Sequence, residues 1–275
     1  MITLTSDKFK KLLLNNKLPK KSITIDGEWL DLTNCTGLTA LPNGLVVKGN
    51  LNLFNCKGLT ALPDGLIVKG WLYLTNCKGL TALPDGLKVG GGLNLTNCTG
   101  LTVLPDGLKV GGTLYLYNCK GLTALPDGLR VDGDLDLANC TGLKALPNGL
   151  RAGGWLSLRN CKGLKALPDG LKVGGGLNLT NCTGLTALPE GLVVKGNLNL
   201  TNCTGLKALP DGLKVDGSLN LYKCVSIKSF YNIEVKGEVI ADETVINNIP
   251  YNELPLYINV PFETKAKEVY LNRIK

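Results

Sequence analysis

Ten cysteines stand at positions 35, 56, 77, 98, 119, 140, 161, 182, 203 and 224, each 21 residues from the last. A fixed period of roughly 20 to 50 residues marks a solenoid, in which each unit is one coil and neighbouring coils bury each other's apolar side. The period therefore constrains the fold far more than the function, because solenoids are scaffolds whose chemistry sits at positions that vary from coil to coil.

One unit reads CTGLTVLPDGLKVGGTLYLYN, from Cys98 to Asn118. Counted from each Cys, Gly recurs at +2, +9 and +14, Leu at +3, +6, +10, +16 and +18, and Pro at +7. Glycine at a fixed place in a coil marks a corner that needs positive φ or close backbone approach. Between corners the pattern alternates, as in Leu51-Asn52-Leu53 and Leu114-Tyr115-Leu116. Alternation is the period of a strand, with the leucines inward and the middle residue outward. Stacking would join these strands into one long parallel sheet. A second short alternation, Leu87-Lys88-Val89 before Gly90-Gly91, leaves a second strand open. The units are too short and too rich in Gly and Pro for an internal helix.

The skeleton LxLxxCxxL followed by LTxLP resembles a leucine-rich repeat, and its LTxLP half is similar to the short bacterial type found in effector proteins of pathogens. The resemblance covers about residues 23 to 250. It implies a mainly β solenoid, a right-handed superhelix with one long parallel sheet whose outward face is the concave ligand surface. The units depart from the family's pattern in their added Gly between Cys and Leu, and a triangular β-helix is the close alternative. The chain divides on this reading into a helical N-terminal cap (1–22), a solenoid of ten to eleven coils (23–250) and an irregular C-terminal cap (251–275).

The N-terminal cap is expected to be a helix over residues 6 to 16, with Ser6 as N-cap and Phe9, Leu12 and Leu13 as the apolar face covering the first coil. At the other end, Ile246-Asn247-Asn248-Ile249-Pro250 repeats the LTxLP signal, and Pro255 and Pro261 mark the C-terminal cap, with room for a short helix after Phe262.

Equivalent cysteines in adjacent coils would lie ~4.8 Å apart, wider than the ~3.8 Å between the Cβ atoms of a disulfide. The column is therefore read as a ladder of buried free thiols acting as small hydrophobes. Ten free thiols point to a reducing compartment, and the chain shows no signal peptide and no apolar run long enough to span a membrane. A cytoplasmic protein is expected, with delivery into another cell left open. No Cys has a second ligand nearby and there is no His, so neither a metal nor a cofactor is expected. The Asn column that runs from Asn34 to Asn202 is expected to be a ladder hydrogen-bonding the turn backbone, not a ligand site.

Residues 36 to 224 hold 18 basic and 11 acidic side chains. Lys57, Lys78, Lys120 and Lys162 follow the Cys directly, whereas Lys88, Lys109, Arg130, Arg151, Lys172 and Lys214 follow the LPDGL corner. The second group neighbours an acidic column that includes Asp64, Asp85, Asp106 and Asp127, which reads as a solvated, partly self-neutralised edge.

The informative positions are the outward residues of the Leu-x-Leu strand, at −6, −4 and −2 from each Cys. All eight aromatic residues between 29 and 224 fall there: Trp29, Phe54, Trp71, Tyr73, Tyr115, Tyr117, Trp155 and Tyr222. The same face carries Asp134, Asp136 and Arg159. Exposed aromatic residues grouped on one sheet are characteristic of interfaces. These eleven residues form the candidate ligand-binding face, and the resemblance agrees with that assignment.

Without His or any non-repeating cluster of acids and bases, no catalytic constellation is visible, and no enzyme activity is expected. The expected function is a binding scaffold for a protein partner. A glycan or single-stranded nucleic acid suits rings beside Asn, Asp and Lys as a less favoured ligand. A structural component of a virion or surface assembly is the third reading. The sequence names neither the partner nor the oligomeric state.

Overall fold

Every coil resolves into two short strands, so the open question of a second strand is answered by a second sheet. The computed structural model describes residues 2–19, 21–229, 232–248 and 258–259. They form a β-solenoid of about eleven turns built on two parallel sheets. We call these the leucine sheet, from the Leu-x-Leu strands, and the valine sheet, from the Leu-x-Val alternation. The chain divides into two compact units, Met1–Asp136 and Leu137–Lys275.

In the first unit the leucine sheet contains Trp29–Asp31, Asn50–Asn52, Leu72–Tyr73, Leu93–Asn94, Leu114–Tyr115 and Leu135–Asp136. The 21-residue step sets the register, placing Leu51 beside Leu72, Leu72 beside Leu93 and Leu93 beside Leu114. In the valine sheet, Val68, Val89, Val110 and Val131 line up in the same way. Both rows point inward and are buried. A slip of one residue would turn every leucine outward, so the repeated pattern itself fixes the pairing.

The corners explain the glycine columns. Glycine at +9 has positive φ in each complete coil, for example 68° at Gly65 and 69° at Gly107. At +14 the reason is space. A Cβ on Gly91 would lie 2.9 Å from the carbonyl carbon of Gly70 in the preceding coil.

The Asn ladder forms, with side-chain partners other than the expected turn backbone. Asn34, Asn55, Asn76, Asn97 and Asn118 all have φ between 59° and 64°, a left-handed conformation that Asn tolerates better than most residues. Their side chains bond to one another as well as occupying the turn. Asn97 Nδ2 donates to Asn76 Oδ1 at 2.9 Å, and Asn118 Nδ2 donates to Asn97 Oδ1 at 2.7 Å. In-register stacking puts identical carboxamides one strand spacing apart, so the donor of one meets the acceptor of the next. Asn97→Gly should keep the backbone conformation and lose two ladder bonds, costing about 1 to 2 kcal/mol. Asn97→Ala adds the left-handed strain and should cost about 1 kcal/mol more. Chemical denaturation of the two variants side by side checks this, and equal costs would remove the role of the backbone.

The thiol ladder is present. All ten cysteines are free, and every one except the half-buried Cys35 is fully buried. Buried thiols of the ladder also have acceptors in the preceding coil: Cys98 Sγ donates to Leu74 O and Cys119 Sγ to Leu95 O, both at 3.1 Å.

At the N-terminus, β1 (Ile2–Leu4) comes before α1 (Ser6–Leu14), and β2 (Ile23–Ile25) and β3 (Trp29–Asp31) follow. Strand β1 pairs with β2 and extends the valine sheet, an element that lies outside the 21-residue repeat. The helix is capped by Thr5, whose hydroxyl accepts from Lys8 N, rather than by Ser6. Ser6 Oγ instead donates to Trp29 O at 2.5 Å and ties the helix to the first Leu-x-Leu strand. Phe9 is fully buried, while Leu12 and Leu13 are half-buried.

In the second unit the leucine sheet runs from Leu156–Ser157 through Leu177–Asn178, Leu198–Asn199 and Leu219–Asn220 to Val239–Ile240 and Ile258–Asn259. The valine sheet runs from Arg151–Ala152 to Glu234–Val235. Residues 246 to 248, which the sequence aligns with the LTxLP corner, belong instead to α2 (Glu243–Asn248). Asp242 starts this helix, its Oδ1 accepting from Val245 N at 3.1 Å. Apart from Ile258–Asn259, the expected C-terminal cap at 251–275 lies outside the described residues.

Candidate binding face

The outward side of the leucine sheet is where the coils differ. In the first unit four of its rings form a continuous stack. Trp29 packs on Tyr73 with ring centroids 5.7 Å apart, Tyr73 on Trp71 at 5.6 Å, and Trp71 on Tyr115 at 6.3 Å. The interplanar angles are 15° to 25°, so the rings are close to parallel. Trp29 and Trp71 occupy the −6 position, and each reaches a Tyr at −4 two coils further on.

For Trp71 the coil in between is low. Between Trp71 and Tyr115 stands Gly92, which is buried although its position faces outward. A Cβ there would collide with Trp71 Cζ3, Cη2 and Cε3, so the indole covers this glycine. Gly176 stands in the same relation to Trp155 in the second unit, with an added Cβ falling 3.0 Å from Trp155 Nε1. Gly92 and Gly176 are the only glycines in the −6 column, and each follows a Trp by 21 residues. In the sequence these two glycines end the Gly-Gly-Gly runs at 90–92 and 174–176. The pairing with Trp was the available signal for their third residue.

Beside the stack lies an open concavity of about 430 Å³, lined by Trp29, Thr33, Asn52, Phe54, Tyr73 and Thr75. Thr33, Asn52 and Thr75 were not singled out from the sequence. Trp29 and Phe54 are exposed, with 47% and 39% of their surface accessible, while Trp71, Tyr73 and Tyr115 are half-buried. The rings are therefore partly packed against one another and partly open, which holds them in place without hiding them.

Several polar neighbours serve the fold. Asn52 Oδ1 accepts from Phe54 N at 3.0 Å, and Asn94 Oδ1 accepts from Thr96 N at 3.0 Å. Asp31 Oδ1 accepts from both Thr33 Oγ1 and Thr33 N. The Thr33 hydroxyl, followed by its amide, holds the Asp31 carboxyl below the ordinary carboxylate range. These bonds fix the outward turn that follows each strand.

The remaining predicted residues are distributed as follows. Tyr117 is half-buried in the coil of Tyr115 and stands outside the stack. Asp134 is exposed and Asp136 half-buried at the last Leu-x-Leu strand of the first unit. Trp155, Arg159 and Tyr222 belong to the second unit and are exposed, and Lys223 Nζ lies 5.2 Å from the Tyr222 ring centroid. The charged outward residues of the first unit's leucine sheet are thus Asp31, Asp134 and Asp136.

Among the described residues, no helix is long and apolar enough to cross a membrane. No family model matches this chain, and no curated protein is significantly similar to it.

Proposed function

We propose that this repeat protein is a non-enzymatic binding scaffold that holds a protein partner on the outward face of its leucine sheet. The observation that carries the proposal is the Trp29–Tyr73–Trp71–Tyr115 stack. Large rings, partly exposed and pre-packed, lose little freedom on binding, and Trp and Tyr dominate the energetics of protein interfaces. The acidic charge of this face disfavours nucleic acid, whose phosphates require a basic surface. A leucine-rich-repeat character is supported by LxLxxC and LTxLP, with the valine sheet as a departure in the other half of the coil. A reducing compartment suits the ten free thiols.

A glycan is the second reading, favoured by one feature. The concavity places rings of Trp29, Phe54 and Tyr73 beside the polar side chains of Thr33, Asn52 and Thr75, a combination that suits a sugar ring and its hydroxyls.

The test compares wild type with Trp71→Ala/Tyr115→Ala and with the control Lys78→Ala/Lys120→Ala in binding to a partner isolated from the native host. Loss with the ring pair and retention with the lysine pair supports a protein contact on the rings. The reverse pattern, with strong salt dependence, would assign the contact to an anionic polymer instead.

A further inference from the structure

The valine sheet carries a second pattern that the ring face does not explain. Its outward positions flank the inward valine of each coil, and in every coil from Lys48 to Arg130 one of them is basic: Lys48, Lys69, Lys88, Lys109 and Arg130. All five are exposed. Lys88, Lys109 and Arg130 are direct register neighbours in the parallel sheet. Lys48 is paired with Asp26 at 3.2 Å. Among the described residues, the other four form no ion pair, and the turn carboxylates Asp64, Asp85, Asp106 and Asp127 do not close onto them. The self-neutralised edge expected from sequence adjacency is therefore not made by contact.

Like charges directly opposite on a sheet are destabilising. Here they recur at one strand spacing, ~4.8 Å, well inside the screening length at physiological salt, so their potentials add along a line. From these observations we infer that the outer face of the valine sheet in the first unit binds a linear acidic polysaccharide. The row is one cation wide, which matches a polymer carrying anionic groups at short, regular intervals along a single chain. Every aromatic residue of the repeat array lies on the leucine sheet, so the valine face has no ring on which a nucleic-acid base could stack. Between Lys88 and Arg130 it also offers no outward apolar side chain to enter a bilayer. An acidic glycan needs neither.

The test titrates the full-length protein with heparin, a sulfated polysaccharide, at increasing salt. Binding should weaken linearly on a log–log plot. Lys88→Gln/Lys109→Gln/Arg130→Gln should lower the salt slope by about three and the low-salt affinity by about 100-fold. The same variant should melt no lower than wild type, because it relieves repulsion. If it fails to fold, Lys109→Gln alone should lower the slope by about one. Lys57→Gln/Lys78→Gln/Lys120→Gln removes the same charge elsewhere and should have a much smaller effect, and Trp71→Ala should leave heparin binding unchanged. No salt-sensitive binding, or equal loss in the two triple variants, would overturn the site. Tighter binding to duplex DNA or to phosphatidylserine vesicles through the same three residues would overturn the polysaccharide assignment.

Discussion

Raising the pH above about 9 should unfold this protein steeply. Burial pushes the thiols of Cys77, Cys119, Cys182 and Cys224 up to about 12 from an ordinary value of 9.0. Cys98 and Cys203 are driven higher still by the same desolvation, to which neighbouring thiols add. A group whose folded value is raised contributes stability that is fully present below its unfolded value and is lost as pH rises toward the folded one. Between about pH 9 and 12 the unfolded chain therefore releases protons that the folded chain keeps. Each such thiol removes up to about 1.4 kcal/mol per pH unit, so the five deepest, Cys98, Cys119, Cys182, Cys203 and Cys224, remove roughly 7 kcal/mol per unit. Typical total stability is about 5 to 15 kcal/mol, so unfolding should be complete within about two units. Denaturation curves between neutral pH and pH 11 test this, and Cys119→Ala should reduce the slope by the share of one thiol. A stability independent of pH up to 11 would show that the ladder is not closed to solvent.

The second large effect concerns the rings. Trp71→Ala/Tyr115→Ala should weaken partner binding at least 100-fold, since a hot-spot aromatic carries about 2 kcal/mol or more and the two rings touch. The pair should not be neutral for folding. Trp71 covers the buried Gly92 and stacks on Tyr73, so its loss should cost about 1 kcal/mol and lower the melting temperature by a few degrees. Outward strand residues stay out of the leucine core, yet Trp71 is packed on its neighbours and so contributes to folding. Equal fractional losses of binding and of folded protein would reduce the rings to a structural role.

The fold was legible because the Cys, Gly and Leu columns repeat without error, and a repeated unit can only stack in register. The valine sheet was legible only as an open alternative, since two-residue strands such as Lys88–Val89 carry too short an alternation to decide. Strand β1 was hidden because Ile2–Leu4 lies outside the repeat and acquires its partner, Ile23–Ile25, only in three dimensions. The ring column was read correctly as outward, but the stack was not. Trp71 and Tyr115 are 44 residues apart, and the coil between them presents only Gly92 at the matching position. Asn97 was read as bonding the turn backbone because its partner Asn118 comes into reach only through stacking.

Oxidative footprinting of the partner complex tests directly whether the leucine-sheet rings form the contact surface. Hydroxyl radicals modify accessible Trp and Tyr side chains, and free Trp29, half-open Trp71, Tyr73 and Tyr115 are all within reach. On complex formation these four should become protected together, while acetylation of Lys57, Lys78 and Lys120 stays unchanged. Protection of the lysines with undiminished oxidation of the four rings would contradict the account.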